Sequence, residues 1–429
     1  MKFFFRGKIT LIMKFFLYQI IIHVLVILSP LKFIYRGIKQ PDYLKYLAER
    51  YGVYNLKNLK NKDLIWFHCV SVGETKAIDS LLSHLVPKFK NKYFLITHST
   101  PTGRDVEIYE SDRISRAYLC FDSWFLNKLF LNYFKPTVAI FLETEIWPGI
   151  TRELKLRHIP SLLINARLSD RSLVKYQQIK QFISHTLDSF DLIIAQSEHD
   201  KKNFQLITDN KIQICNNLKF NQPIKALQPS EKNKFKNHLQ INSKRVISLI
   251  SSRKGEEELF LNQIKLLHNF DDFIFMIVPR HPQRFSEVES LILKNGYVCN
   301  LASHPNKSNQ SNTIVLGNTM GEMYKYISVS DLVLIGGSFK NFGSQSPIEA
   351  LLLKTPCLVG PSIYNFLSII QNGIAAKVIK QITSDTIASE ITNFFKNKNE
   401  KIFEKNLEKF LAKNKKDEEK VIQLISRYF

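Results

Sequence analysis

Five acidic and basic side chains stand where a chain of this kind can do chemistry. In Trp66-Phe67-His68-Cys69-Val70-Ser71-Val72-Gly73-Glu74 an apolar strand runs into Ser-Val-Gly-Glu, and the residues after it read as a helix. Glu74 then sits at a strand-to-helix turn, and Gly73 allows backbone and ligand to approach closely. A carboxylate there can act as general base toward an incoming hydroxyl. It can also simply favour the helix N-terminus, where the macrodipole welcomes negative charge. Glu143-Thr144-Glu145-Ile146-Trp147-Pro148 follows a second apolar run. If the strand continues, its two carboxylates share a face. If the chain turns at Thr144, one faces the ligand and the other holds the fold. Asn165-Ala166-Arg167-Leu168-Ser169 and Asn217-Leu218-Lys219-Phe220 each offer a cation, either for an anion or for a structural ion pair.

The second half carries a different set. Arg280, in Val278-Pro279-Arg280-His281-Pro282, ends a strongly apolar strand and suits a phosphate as a planar multi-donor. Gly317-Asn318-Thr319-Met320-Gly321-Glu322 reads as a turn into a helix start near Met320, with backbone N–H groups free for an anion. Gly336-Gly337-Ser338-Phe339 and Gly343-Ser344-Gln345-Ser346-Pro347-Ile348-Glu349 read as glycine turns leading to a carboxylate that can bond ribose hydroxyls. The pattern is neither GxGxxG nor a Walker loop, which argues against a dinucleotide or ATP. His68, His98 and His281 have no metal-ligand spacing with a third partner, so no metal and no cofactor are expected.

Elements must hold these residues in place. Apolar runs at 64–67, 93–96, 138–141, 161–164 and 192–195 alternate with helix-like segments. The rhythm resumes at 245–250, 273–278, 313–316, 332–335 and 357–359. Short apolar runs with interposed helices imply parallel strands, hence an α/β fold of two doubly wound domains with the ligand in a central cleft. The polar, Lys/Asn-rich stretch between the sets reads as a linker. The expected division is 1–36 as anchor with basic flanks, 37–225 as the first domain, 226–244 as linker, 245–395 as the second domain and 396–429 as a solvated amphipathic helix. In that tail Ile402, Phe403, Leu407, Phe410 and Leu411 recur at helical spacing. Residues 305–311 read as a loop.

Residues 15–28 are almost wholly apolar, broken only by Gln19 and His23, and are flanked by Lys2, Arg6, Lys8 and Lys14 before and by Lys32, Arg36 and Lys39 after. No small-residue cleavage pair precedes Pro30. A signal-anchor or a helix lying in the membrane interface fits, attracted by anionic lipid. No later apolar run has this length. Over 429 residues Lys+Arg number 60 and Asp+Glu 38, a net charge of +22. That excess points to an anionic partner. The apolar share of 45% excludes a disordered chain, and 15 Gly and 15 Pro exclude a fibrous one. Five widely spaced cysteines read as buried thiols of a reducing compartment.

Taken in order, these segments resemble the 3-deoxy-D-manno-octulosonic acid (Kdo) transferases of lipopolysaccharide synthesis, over nearly the whole chain. The resemblance implies a GT-B glycosyltransferase fold with an N-terminal anchor at the cytoplasmic side of the inner membrane. It implies transfer of Kdo from CMP-Kdo to the lipid A precursor lipid IVA (tetraacyldisaccharide 1,4′-bisphosphate). A single displacement with inversion at the anomeric carbon is the expected course. By resemblance Glu74 is the catalytic base, and Glu143 or Glu145 together with Lys219 assist the transition state. The CMP contacts fall on Pro279, Arg280, Met320, Gly321, Glu322, Ser346, Pro347, Ile348 and Glu349. Three departures stand out: Ser344-Gln345-Ser346 replaces the family's Gly-His-Asn, Arg253 replaces a His, and Asn318 replaces an Asp. A GT-B enzyme using a UDP-sugar on a lipid acceptor is the alternative. A membrane-tethered nucleic-acid binder would need basic and aromatic residues interleaved on one face. Here the aromatics lie in strands and anchor, so no nucleic-acid partner is expected.

Overall fold

The computed structural model describes residues 2–241, 244–305, 312–397 and 400–429, with the backbone alone at 2–10 and 39. Most of the loop expected at 305–311 lies outside the described residues, as do the side chains of Lys2, Arg6, Lys8 and Lys39. The chain forms two compact units. One comprises 1–223 and 414–429, the other 224–413.

In the first unit seven parallel strands run β1 (Leu64–His68), β2 (Tyr93–His98), β3 (Ile114–Tyr118), β4 (Val138–Leu142), β5 (Ser161–Ala166), β6 (Leu192–Ala195) and β7 (Ile212–Ile214). Their order in the sheet is β3-β2-β1-β4-β5-β6-β7. Helices cover both faces, so β1 and β4 are buried at every position. That is why they read as unbroken apolar runs. The chain builds outward from β1 in one direction, then returns to place β4 on its other side. The carboxyl ends of β1 and β4 therefore flank the switch point, where open α/β sheets bind ligands.

The second unit repeats the plan with β8 (Arg245–Ser252), β9 (Phe273–Pro279), β10 (Val298–Leu301), β11 (Thr313–Leu316), β12 (Leu332–Ile335), β13 (Cys357–Val359) and β14 (Ile379–Gln381). The order is β10-β11-β9-β8-β12-β13-β14, with its switch point between β8 and β12.

Two expectations are corrected. The segment expected as a linker, 226–244, carries a helix, Pro229–Leu239, that belongs to the second unit. Leu239 and Ile241 are buried, and the His238 ring lies 2.9 Å from the Ala302 carbonyl. The tail is not one solvated helix. It forms Glu400–Lys415 and Asp417–Ile425. In the second of these Val421, Ile422 and Ile425 are buried in the core of the first unit. Leu407 and Phe410 of the first are buried as well.

The N-terminal apolar segment is a single helix, Lys2–Lys39, of 38 residues. Pro30 interrupts its hydrogen-bond ladder, because proline has no N–H for the carbonyl of Val26. The Ser29 hydroxyl donates to that carbonyl instead, at 2.7 Å. All five cysteines are buried free thiols.

Candidate active site

Glu74, Glu143, Glu145 and Lys219 come together at the switch point of the first unit. Glu74 lies in the first turn of the helix Val72–Lys88, which follows β1. Its carboxylate accepts the backbone N–H of Ser71 at 2.7 Å, half of a capping box. The capping role expected of a residue here is therefore filled by the same side chain. Glu74 is only 5% exposed. Burial, then the charges of Glu143 and Glu145, push its pKa up to about 8, against the opposing Ser71 N–H and Lys219. A carboxylate so placed is a stronger base than an ordinary glutamate.

The strand β4 ends at Leu142, and Glu143 takes a left-handed conformation with φ 53°. The chain thus turns at once, and the two glutamates part. Glu143 Oε1 meets Lys219 Nζ at 2.5 Å. Lys219 comes from a short 3₁₀ turn, Leu218–Asn221, whose N–H at Lys219 is capped by the Asn217 carbonyl oxygen at 3.0 Å. Asn165, at the end of β5 with φ 50°, accepts the N–H of Leu218 at 3.2 Å. A Cβ on Gly73 would sit 3.5 Å from Lys219 Nζ, so the lysine head lies against the turn that carries Glu74.

Glu145 points elsewhere. The Trp147 indole N–H donates to its Oε2 at 2.7 Å, and His68 Nε2 lies 3.8 Å from the same oxygen. Burial, together with the charge of Glu143, pushes its pKa up to about 7 against the Trp147 bond. His68 is fully buried, and burial drives its pKa down to about 3, so the pair is a neutral ring beside a carboxyl rather than an ion pair. Thr97 Oγ1 accepts the Trp66 indole N–H at 2.7 Å and lies 2.9 Å from His68 Nδ1. His68 Nε2 is buried without a hydrogen-bond partner, the Glu145 oxygen at 3.8 Å being beyond reach. The backbone N–H of Arg167 donates to the Glu143 carbonyl, and its guanidinium is felt by Asp200.

In the second unit the expected nucleotide contacts gather at the carboxyl edge of the sheet. Arg280 is exposed after β9, with its N–H on the Ser252 carbonyl at 3.1 Å. Across the switch point the backbones of β8 and β12 touch: a Cβ on Gly336 would meet the Ser251 oxygen at 2.5 Å. Buried Glu256 fixes this loop by accepting the N–H groups of Gly337, Phe339 and Arg253 at 2.6, 2.9 and 2.8 Å. Gly343, with φ 81°, has no room for a side chain against Tyr364. Ser344 and Gln345 pair through their backbones with Gly337 and Gly336, and the Ser346 hydroxyl accepts the N–H of Ile348 at 3.3 Å. The departures from the family pattern at Ser344 and Gln345 thus leave the loop's backbone pairing in place. Pro347 precedes the short helix Ile348–Leu352, whose first turn holds Glu349.

Two details differ from expectation. The helix expected to start near Met320 runs Met323–Val329, with Glu322 at its N-cap. The Glu322 carboxylate accepts the Thr319 hydroxyl at 2.6 Å and pairs with Lys325, while Met320 is 57% exposed and Gly321 has φ 78°. So short a helix offers no macrodipole site for an anion. Arg253, the other departure, bonds His281 and lies 5.3 Å from the Phe342 ring, joining the loops after β9 and β12. Asn318 exchanges two hydrogen bonds with Ser303, at 2.8 and 2.9 Å. Among the described residues no group of three His, Cys, Asp or Glu is arranged to hold a metal ion.

Residues 45–222 match the family model of the 3-Deoxy-D-manno-octulosonic-acid transferase (kdotransferase). A 3-deoxy-D-manno-octulosonic acid transferase of Haemophilus influenzae is 30% identical over 377 residues, which cover 85% of this chain and 87% of that protein. The Rickettsia bellii transferase of the same name is 28% identical over 86% of this chain and 89% of its own. The chain belongs to the Kdo transferase family. It is an enzyme, a glycosyltransferase that transfers Kdo. Among solved structures, a glycosyltransferase of Rickettsia africae covers 86% of this chain and 99% of its own at a TM-score of 0.58 and 16% identity. The Anabaena HepE protein in complex with UDP covers 85% and 98% at 0.55 and 11%. These likenesses show the GT-B fold of the Kdo transferase.

Sequence reasoning missed two parts of the site. His68 was set aside for lack of metal spacing, although its place at the end of β1, two strand positions after Trp66, marked it as facing the same side. Glu256 stands in the sequence as one of three consecutive acids, 256–258, and only the fold shows that it grips the Gly337 loop.

Proposed function

We propose that the enzyme transfers Kdo from CMP-Kdo to lipid IVA, with Glu74 as general base. The observation that carries this reading is the buried Glu74 carboxyl, raised to about 8 beside the Lys219–Glu143 pair at the switch point of its sheet. In the proposed step Glu74 takes the proton from the acceptor's primary hydroxyl. The oxygen forms its bond to the anomeric carbon of Kdo on the face opposite the nucleotide. The bond to the phosphate oxygen breaks and its electron pair leaves with CMP, which inverts the configuration. Arg280 supports this reading for the phosphate, where charge develops in the transition state. Lys219 favours the ionised form of Glu74.

No metal or cofactor is assigned a role in this reading, in which the Arg280 guanidinium and the Lys219 ammonium carry the positive charge. Treatment with a chelator is expected to leave the rate unchanged. The basic apolar helix is read as holding the enzyme at the cytoplasmic face of the inner membrane, where a fatty, bisphosphorylated acceptor resides. The test is Glu74→Gln, checked for folding and assayed for transfer by mass spectrometry of the lipid product. A rate near that of the unmodified enzyme would remove Glu74 from this role. A UDP-sugar donor is the second reading, suggested by the UDP bound to structural neighbours such as the Anabaena protein. Competition decides between them: CMP should inhibit and UDP should not.

A further inference from the structure

The helix Lys2–Lys39 passes every test of a membrane span by length and composition: the most apolar 18-residue stretch within Leu11–Ile38 has a mean hydropathy of 2.3. Its contacts tell a different story. The Phe15 ring lies 4.6 Å from the Arg152 guanidinium. Tyr18 donates to Asp122 at 2.7 Å, and Gln19 donates to the Asp122 carbonyl and accepts the Trp124 N–H, at 3.1 and 2.8 Å. His23 meets Ser123 at 3.0 Å, Ser29 meets Tyr51 at 2.7 Å, and Phe33 lies 4.8 Å from Arg50. From residue 15 to residue 33 the helix is docked on its own unit over about 27 Å of its length. That is close to the hydrocarbon thickness of a bilayer, about 30 Å. A helix crossing the bilayer in this state would carry Arg152, Asp122 and Arg50 across the hydrocarbon with it, where charged groups are costly.

The opposite face is bare. Phe16, Ile20, Val24, Ile27, Leu31 and Ile34 are each at least 49% exposed and recur at helical spacing, so one stripe runs along the whole docked length. The stripe continues onto the body of the unit at Trp124 and Phe125, exposed by 49% and 57%, beside the Gln19 contact. Lys128 lies 5.1 Å from the Trp124 ring. No Asp or Glu occurs in the helix, and Lys32 and Arg36 are exposed at its end. An apolar stripe with an indole at its margin and a basic border is complementary to an anionic lipid surface.

We infer that this helix does not span the bilayer but lies in the plane of one leaflet, with Trp124 and Phe125 as a second insertion point beside it. The inference rests on the proposed membrane localisation and makes it specific. To test it, single cysteines are introduced on the bare face as Met13→Cys, Val24→Cys and Ile38→Cys in the full chain, whose own thiols are all buried. Each is labelled with a fluorophore, and the protein is added to preformed phosphatidylethanolamine vesicles with or without phosphatidylglycerol. The expected result is equal, shallow quenching by lipid-attached quenchers at all three positions, full access of both ends to a quencher added outside, and stronger binding with phosphatidylglycerol. Deep quenching at position 24 with one end shielded from the outside would overturn the in-plane helix while leaving the membrane localisation standing. No association with either vesicle would overturn both. Trp124→Ala with Phe125→Ala should lower vesicle partitioning about tenfold while leaving transfer to a detergent-dispersed acceptor unchanged. Unchanged partitioning would remove the second insertion point.

Discussion

In the proposed mechanism Glu74 serves fold and chemistry at once. Its capping bond to Ser71 holds it at the helix start, while burial and two neighbouring carboxyls raise its pKa to about 8. If the ionised form is the base, kcat/KM should rise with pH and level off above about 8, which a pH–rate profile reads directly. Glu74→Gln should lower kcat by about 10²–10⁴, the usual contribution of a positioned general base. The same variant should be more stable at pH 8. An ordinary glutamate near 4.5 in the unfolded chain and near 8 in the folded one binds more protons when folded. Stability therefore falls as pH rises from 4.5 to 8, and an uncharged isostere escapes this loss. The gain is expected to be about 1–3 kcal/mol at pH 8 and absent at pH 4, measured by denaturant unfolding. Lys219→Met should act on both properties. It leaves the partly buried Glu143 carboxylate without its ion-pair partner, at a cost of about 1–3 kcal/mol. It also withdraws the positive charge that favours ionised Glu74, so the alkaline rise of the rate should move to higher pH. His68 belongs to the same scale. Its residue type was plain from the sequence, but its contact with Thr97, which lies 29 positions away, was not.

Among the elements, central strands were legible and edge strands were not. Each apolar run read from the sequence became a strand. The four strands not anticipated are β3, β7, β10 and β14, and these are the two edges of each sheet. An edge strand is only partly covered, so its side chains mix apolar and polar types; β14, Ile-Lys-Gln, has a single buried residue. The polar composition of 226–244 suggested a linker for a related reason. Its helix buries little beyond Leu239 and leaves the rest to solvent. The loop after β12 depends on two close approaches that composition hides. Gly336→Ala would drive a Cβ into the Ser251 oxygen, and Glu256→Ala would leave three backbone N–H groups without their acceptor. Either change should destabilise the second unit by about 2–4 kcal/mol, by thermal or denaturant unfolding. If the nucleotide binds at this edge, calorimetry should show weakened CMP binding in any fraction that folds.

At the scale of the whole chain, the last helix returns to the first unit after the entire second unit has been made. Val421, Ile422 and Ile425 complete a core begun by β1 and the helix after it, and Asp417 accepts the N–H of Asn216 at 2.8 Å, next to the segment that carries Lys219. Removing residues 414–429 should therefore destabilise the first unit by about 4–8 kcal/mol, from three buried aliphatic side chains, and lower transfer activity as well. Unfolding curves of the shortened chain, compared with the full one, check this. Charge adds to this picture: the excess of +22 points to an anionic partner.

The residues alone determined the α/β class, the two repeats, the family and the identities of the acidic and basic groups. All of these depend on local pattern: apolar runs, turn residues and the order of short motifs. Only the tertiary structure decided that Glu143 pairs with Lys219 while Glu145 turns to Trp147 and His68, that the tail completes the first unit's core, and that the N-terminal helix is docked along its length. Each of those outcomes depends on which distant segments meet, and on how burial then changes a side chain's charge. Neither is a property of neighbouring residues.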